Sequence, residues 1–187
     1  MTMIIPSEES CMDLLNRIET PEHIIAHSVQ VWRVAQLVGE GLIQNGLNLN
    51  IDLLRAACLL HDIAKFPCIQ SGKGYHDAVG REMLDREGLP AIGRIIAQHV
   101  VLRDEGEDSI REEHVLNYSD KRVVHDKVVS LEERFVYLKE TYGKYPQAIE
   151  ALDAMKSQTR ILEKKIFQLL EFEPQDVPHL MNKELKR

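Results

Sequence analysis

The 187-residue chain reads as an all-α fold. Three observations carry that reading. Apolar side chains recur at spacings of three and four, the period that lines one face of a helix. Runs that alternate apolar and polar residues, the mark of a half-buried strand, are absent. Glycine and proline fall between helical segments rather than within strand-like ones.

A short first helix is expected over roughly 9–18, before Thr20-Pro21, where Thr20 can cap and Pro21 can open the next helix. From His27, the residues Val31, Val34, Ala35 and Val38 follow at helical offsets, which puts His27 on a buried stripe. Gly39, Gly41, Asn45 and Gly46 mark that helix's end and a loop. Asp52 caps or opens a third helix that runs through Lys65, with Leu54, Cys58 and His61 along one face and Asp62 beside them. Phe66-Pro67 ends it, and residues 70–75 form a glycine-rich loop. His76 opens a further helix, on whose face Gly80 permits a close approach between helices.

Pro90 starts a helix in which Ile92, Ile95, Ile96 and His99 share a side. The acidic stretch Arg103–Glu113 is expected to be a loop or lid. Leu116, Asn117, Asp120, Val123 and Val124 then form a stripe centred on Asp120. Leu131, Phe135, Leu138 and Tyr142 make another helix, ended near Gly143 and Pro146. A long final helix turns Ala148, Leu152, Met155, Leu162, Ile166 and Leu169 inward, and residues 174–187 read as a frayed polar tail. One domain is expected over 1–187, with a core at about 20–142 and a helical extension at about 145–173.

Hydrophobic residues at 44% and charged ones at 28% are the balance of a globular chain, not a disordered one. The N-terminus lacks a basic segment followed by an apolar stretch, so no signal peptide is read, and no apolar run approaches the length of a membrane span. Cys11, Cys58 and Cys68 form no Cys-x-x-Cys pair and no even disulfide set, which suits reduced thiols in a cytoplasmic protein. The net charge of -7 argues against a nucleic-acid binder but not against a small phosphorylated substrate, since metal ions supply positive charge locally.

The chemistry-bearing residues are His27, the pair His61-Asp62, His76, His99 and Asp120. Imidazoles and carboxylates ligate divalent transition metals, and here six of them fall on or beside inward helix faces. A lone histidine on an apolar face is ordinarily a hydrogen-bonded core residue. A buried carboxylate is costly unless it is paired or binds metal. One metal centre accounts for all six together, and ligands without thiolate suit Fe, Mn, Ni, Co, Zn or Mg. Adjacent helix positions point about 100° apart, so His61 and Asp62 can approach an ion from two directions, with Asp62 able to bridge two ions.

The ordered set His27…His61-Asp62…His76…His99…Asp120 resembles the HD-domain metal-dependent phosphohydrolase superfamily. So do the stretches HSVQVWRVAQLVG, AACLLHDIAKF, HDAVGREML, IIAQHV and NYSDKRVVHDKVVSLEERF, over about residues 23–138. The resemblance implies an all-α HD-domain (HDIG-type) helical bundle with its metal site in the core. It implies His27, His61, Asp62 and Asp120 as ligands of one divalent ion, and His76 and His99 as the added histidines of the two-metal subgroup. Within that subgroup the pattern is most similar to the branch that cleaves diadenosine tetraphosphate. The acidic insertion Asp104–Asp108 departs from it.

The expected activity is hydrolysis of a phosphoester or phosphoanhydride, in a nucleotide or other small phosphorylated metabolite, by metal-activated water. Asp62, His76, His99 and Lys65 are the candidate catalytic groups. Lys65, three residues after Asp62, could contact a phosphate. The alternatives are a regulatory module that binds a nucleotide with little or no turnover, and a metal-bearing scaffold without a ligand. Lower candidates for phosphate contact are Arg103, Lys73 in the SGKGY loop, and the pair Lys121-Arg122. His114, His125 and His179 read as structural or surface residues, and Trp32 as packing. No membrane partner is expected, and the last helix could pair with a second copy of the chain.

Overall fold

The computed structural model describes residues 3–103 and 109–184, with the side chains of 182–184 left aside. Ser7 caps the first helix, α1 (Glu8–Arg17), by accepting the Ser10 N–H, and α1 buries Cys11, Leu14 and Leu15. The long helix α2 (Glu22–Gln44) begins on Pro21 rather than Thr20, whose hydroxyl is buried without a hydrogen bond among the described residues. The central helix α3 (Ile51–Leu60) is capped by the Asn50 side chain, with Asp52 in its first turn, and everything from Leu53 to Leu60 except Arg55 is buried. Packed against it are α1, α2, α6 (Pro90–Ile96) and α7 (Glu112–Asp120). Fixed between these neighbours, α3 is the frame from which His61 and Asp62 project.

The expected helix from Asp52 through Lys65 does not run unbroken. It stops at Leu60, residues 61–64 form a turn, and α4 (Lys65–Ser71) follows, so Phe66-Pro67 lies inside a helix and the loop shrinks to residues 72–75. The cause is local. The His61 ring Nδ1–H donates to the Cys58 carbonyl 2.7 Å away, and the chain tightens into three-residue turns, Ile63 N–H to Leu60 O and Lys65 N–H to Asp62 O. The same device ends α6 at Ile96: His99 Nδ1–H donates to Ile96 O at 2.6 Å, in a turn just past the helix.

His76 opens α5 (His76–Arg86), as expected. A Cβ on Gly80 would stand 3.1 Å from Ile96 and 3.3 Å from Ile63, so the missing side chain lets α5 close onto α6 and the 61–64 turn. Glu112 and Glu113 belong to α7 rather than to the acidic loop, and residues 104–108 lie outside the described set. Val123 and Val124 do not continue the Asp120 stripe as helix. They form β1 (Val123–Val124), paired antiparallel with β2 (Lys127–Val128). Asp120 is therefore the last residue of α7, and His125 turns the hairpin with φ 55°.

A capping box of Ser130 and Glu133 starts α8 (Leu131–Tyr142), which packs on α9 (Pro146–Phe167). Leu152, Leu162 and Ile166 are buried as expected, while Leu169 falls beyond the helix and is exposed. The expected polar tail is a correction. Residues 174–176 form a 3₁₀ turn and α10 (Val177–Glu184) follows, burying Val177 and Met181 against the core beside α2. Val177 and Met181, four apart, share the helix face that meets the core, and Arg122 Nη2 donates to the Pro174 carbonyl just before α10. Trp32 is half-buried against the core, as expected. Among the described residues no helix is long and apolar enough to cross a membrane.

Candidate metal centre

The fold brings all six candidates together. His27 comes from the second turn of α2, His61 and Asp62 from the turn after α3, and His76 from the start of α5. His99 comes from the turn after α6, and Asp120 from the end of α7. Five are buried, while the His76 side chain is 31% exposed and faces a cleft.

Three of the histidines are fixed in the same way. His27 Nδ1–H donates to the His125 carbonyl at 2.8 Å, His61 to Cys58, and His99 to Ile96. A carbonyl can only accept, so each Nδ1 carries the proton, and in the neutral ring the Nε2 lone pair points inward. There it meets other acceptors. His27 Nε2 lies 3.1 Å from Asp120 Oδ1. His61 Nε2 is 3.5 Å from Asp62 Oδ2 and 3.8 Å from Asp120 Oδ1, and His99 Nε2 is 3.6 Å from Asp62 Oδ1. His61 Nε2 is buried and makes no hydrogen bond among the described residues. Burial lowers the His61 pKa from 6.5 to about 3, so this ring is neutral at pH 7. Lone pairs facing lone pairs repel, and a cation between them removes the conflict. The donor set therefore fits a divalent metal.

Among the described residues, ligand atoms within 4.8 Å of one another form two groups, His27–His61–Asp120 and His61–Asp62–His99, which share His61. His76 Nε2 adds to the second, 3.0 Å from His99 Nε2 and 3.3 Å from Asp62 Oδ1. Asp62 Oδ2 lies 4.0 Å from His27 Nε2 and 3.5 Å from His61 Nε2, while Oδ1 lies 3.3 Å from His76 Nε2 and 3.6 Å from His99 Nε2, so these residues could hold one ion or two.

Burial pushes the Asp62 pKa up, but His61, His76, His99 and Lys65 outweigh it and hold the carboxyl well below its usual range. Asp120 is likewise raised by burial and lowered further by Lys121, Arg134 and His27. Both are ionised. Lys65 Nζ lies 2.6 Å from Asp62 Oδ2; burial lowers its pKa and Asp62 raises it more, for a net rise. Lys121, a candidate for phosphate contact, lines the cleft but is not solvated. It is buried, donating to Asp120 Oδ2 at 2.8 Å and to His99 O at 2.7 Å, so it locks two candidate ligands in place. Arg122 is also buried, spent on Tyr118, Val129 O and Pro174 O.

Arg134 and Asn117 escaped the sequence reading as site residues. Arg134 Nη2 reaches Asp120 Oδ1 at 3.4 Å, and Asn117 Nδ2 holds the His99 turn through Gln98 O and His99 O. The available signal for Arg134 was its place on α8 one position before Phe135, beside the inward stripe. His125 contributes through its backbone, and His114 Nδ1 accepts the Arg111 N–H, a structural role as expected. Arg103 and Lys73 are exposed and line no cavity beside the site. Cys11 and Cys58 are buried free thiols, whereas Cys68 is half-buried and lines the cleft.

That cleft, of about 440 Å³, opens over Asp62, His76, His99 and Asp120. Its charged lining is Lys65, Lys121 and Arg134 against Asp62 and Asp120, and its apolar and aromatic lining includes Tyr75, Leu138, Tyr142, Leu152 and Met155. The lining thus combines candidate metal ligands and cations with apolar and aromatic side chains.

Known proteins resemble parts of the chain. A tRNA (cytidine(56)-2'-O)-methyltransferase of Thermoplasma volcanium is 26% identical over 144 residues, spanning 70% of this chain and 40% of that protein. Ribonuclease Y of Fervidobacterium nodosum is 36% identical over 80 residues, spanning 42% of this chain and 14% of that protein. The chain thus spans less than half the length of either relative. No solved structure matches. The HD domain family model matches residues 24–124, more than half of the chain and the span that holds all six candidate ligands. The chain therefore belongs to the HD-domain family, whose members are generally metal-dependent hydrolases.

Proposed function

We propose that this chain is a metal-dependent phosphohydrolase that cleaves a phosphoester or phosphoanhydride in a nucleotide or another small phosphorylated metabolite. The observation that carries the reading is the set of tethered histidines, whose Nε2 lone pairs converge on two ionised carboxylates at the floor of an open cleft. His27, His61, Asp62 and Asp120 would hold one divalent ion, and His76 and His99 a second beside Asp62. A divalent ion supplies Lewis acidity toward phosphoryl oxygens and lowers the pKa of water.

The chain's own groups do the rest. The backbone tethers orient the rings before substrate arrives, which keeps reorganisation during the reaction small. Lys121 holds Asp120 and the His99 turn, and Lys65 orients Asp62 at the cleft edge. His76 has a half-open ring at the cleft and can hold or pass a proton at Nε2. The apolar and aromatic part of the lining suits a nucleobase or other organic group, with the phosphate held near the candidate ligands.

Both relatives bear names of RNA-acting proteins, but they are matched over less than half of their length. The net charge of -7 favours a small substrate over a nucleic acid. The test is phosphate release from nucleoside mono- and triphosphates, dinucleoside polyphosphates, cyclic dinucleotides and a short RNA, with Mn, Fe, Ni, Co or Mg added. Metal-dependent turnover that disappears in Asp62→Ala, with helical content retained, is the expected result. Turnover unchanged in Asp62→Ala would refute the assignment. Nucleotide-dependent thermal stabilisation without turnover would support the regulatory module instead.

A further inference from the structure

A second cavity, of about 200 Å³, lies beside the metal centre and shares the wall of Lys65, Ile69, Arg134, Leu138 and Tyr142 with the main cleft. His27 lines this cavity, whereas Asp62, His76, His99 and Asp120 line the cleft, so the candidate ligands stand between the two spaces. In a chain of net charge -7, the lining carries the cations Lys65 and Arg134 beside the imidazoles of His23, His27 and His125. The other lining residues are aliphatic or tyrosine, and none is a carboxylate. The volume falls below the roughly 300–1,000 Å³ that encloses a whole drug-sized ligand, which suits one part of a larger substrate.

Arg134 is the cation left with least to do. Lys65 has Asp62 at 2.6 Å, and Lys121 has two short partners. Arg134 reaches Asp120 Oδ1 only at 3.4 Å, an oxygen that His27 Nε2 already approaches at 3.1 Å. Its Nε is buried with no hydrogen bond among the described residues. A guanidinium carries five donors in a fixed fork suited to phosphate, so most of this one's capacity is unspent. The head is nonetheless positioned, 5.8 Å over the Tyr137 ring, which also packs on the His125 ring at 5.4 Å.

We propose that this cavity is an anion subsite in which Arg134, with His23 and His125 at the rim, binds a phosphoryl group beyond the one at the metal centre. The favoured substrate then carries at least two linked phosphoryl groups. This inference rests on the phosphohydrolase reading for its substrate, but its test needs no turnover. Inorganic phosphate and tripolyphosphate are titrated calorimetrically into manganese-loaded wild type, His23→Asp and Arg134→Gln, with metal content measured on each sample.

The expected result is tripolyphosphate binding weakened about tenfold or more in both variants, the loss of one hydrogen-bonding contact to a phosphoryl group. Phosphate binding in His23→Asp should change by less than about threefold, because that position lies outside the metal centre. Metal content should stay at the wild-type level. Equal weakening of both anions, no weakening of either, or a wild type that binds neither would overturn the subsite. Loss of metal in Arg134→Gln would overturn it as well, since Arg134 would then serve only to hold Asp120. Tight tripolyphosphate binding through this cavity without hydrolysis of any substrate would keep the subsite and reject the hydrolase.

Discussion

Acidifying the metal-free protein should destabilise it through His61. Burial lowers this imidazole's pKa from 6.5 to about 3 in the folded chain. The unfolded chain therefore takes up the proton first as pH falls. The stability contributed by the neutral ring is complete above about pH 6.5 and is lost progressively toward pH 3. At 1.36 kcal/mol per pH unit, lowering the pH from about 7.5 to about 5 removes about 2 kcal/mol, a large part of a typical domain's stability. Asp62 and Asp120 are held well below the usual carboxylate range, so neither titrates in that window.

The assay is urea unfolding of EDTA-treated protein at both pH values, followed by far-UV circular dichroism and compared with His61→Asn. Wild type should lose about 2 kcal/mol more than the variant over this interval. Adding manganese should steepen the wild-type loss, because ligation requires the same unprotonated Nε2. If wild type and His61→Asn weaken in parallel, the ring is not held neutral by burial, and the argument from converging lone pairs fails with it.

Other outcomes are open to direct measurement. His76→Ala combined with His99→Ala should lower bound metal from two ions toward one by elemental analysis; at most one ion in metal-saturated wild type would refute the two-ion arrangement. Asn117→Leu removes two hydrogen bonds that hold the His99 turn and should cost about 2 kcal/mol in urea unfolding. It should also weaken metal binding in a competition titration; unchanged affinity would mean that the end of α6 holds the turn unaided. His114→Ala should leave metal content intact, because its Nδ1 caps a backbone N–H, and loss of metal there would show that the ligand set is misassigned.

The helices were legible because burial imposes a period that composition cannot hide. His27 with Val31, Val34 and Val38 on α2, and Leu131 with Phe135 and Leu138 on α8, lie on the faces their spacing indicates. The misreadings came where a side chain or a short-range turn overrode that period. His61 and His99 each take a carbonyl three residues back, which stops α3 and α6 and moves both rings off the helix face into a turn. Val123 and Val124 sit at helical spacing from Asp120, yet pair as a strand once His125 takes a positive φ. In the C-terminal segment, a polar composition masked Val177 and Met181, two apolar residues that the fold buries against the core.

By itself the sequence determined the all-α class and the identities of the six candidate ligands, since both follow from residue type and local spacing. Tertiary structure alone decided how those residues work. Only packing sets three Nε2 lone pairs against two carboxylates, and only the return of α8 brings Arg134 to Asp120, fourteen residues away along the chain. Lys121 looked as exposed as any lysine in the sequence, yet the fold buries it between Asp120 and the His99 carbonyl. Such contacts depend on how distant elements pack, a relation that no local period encodes.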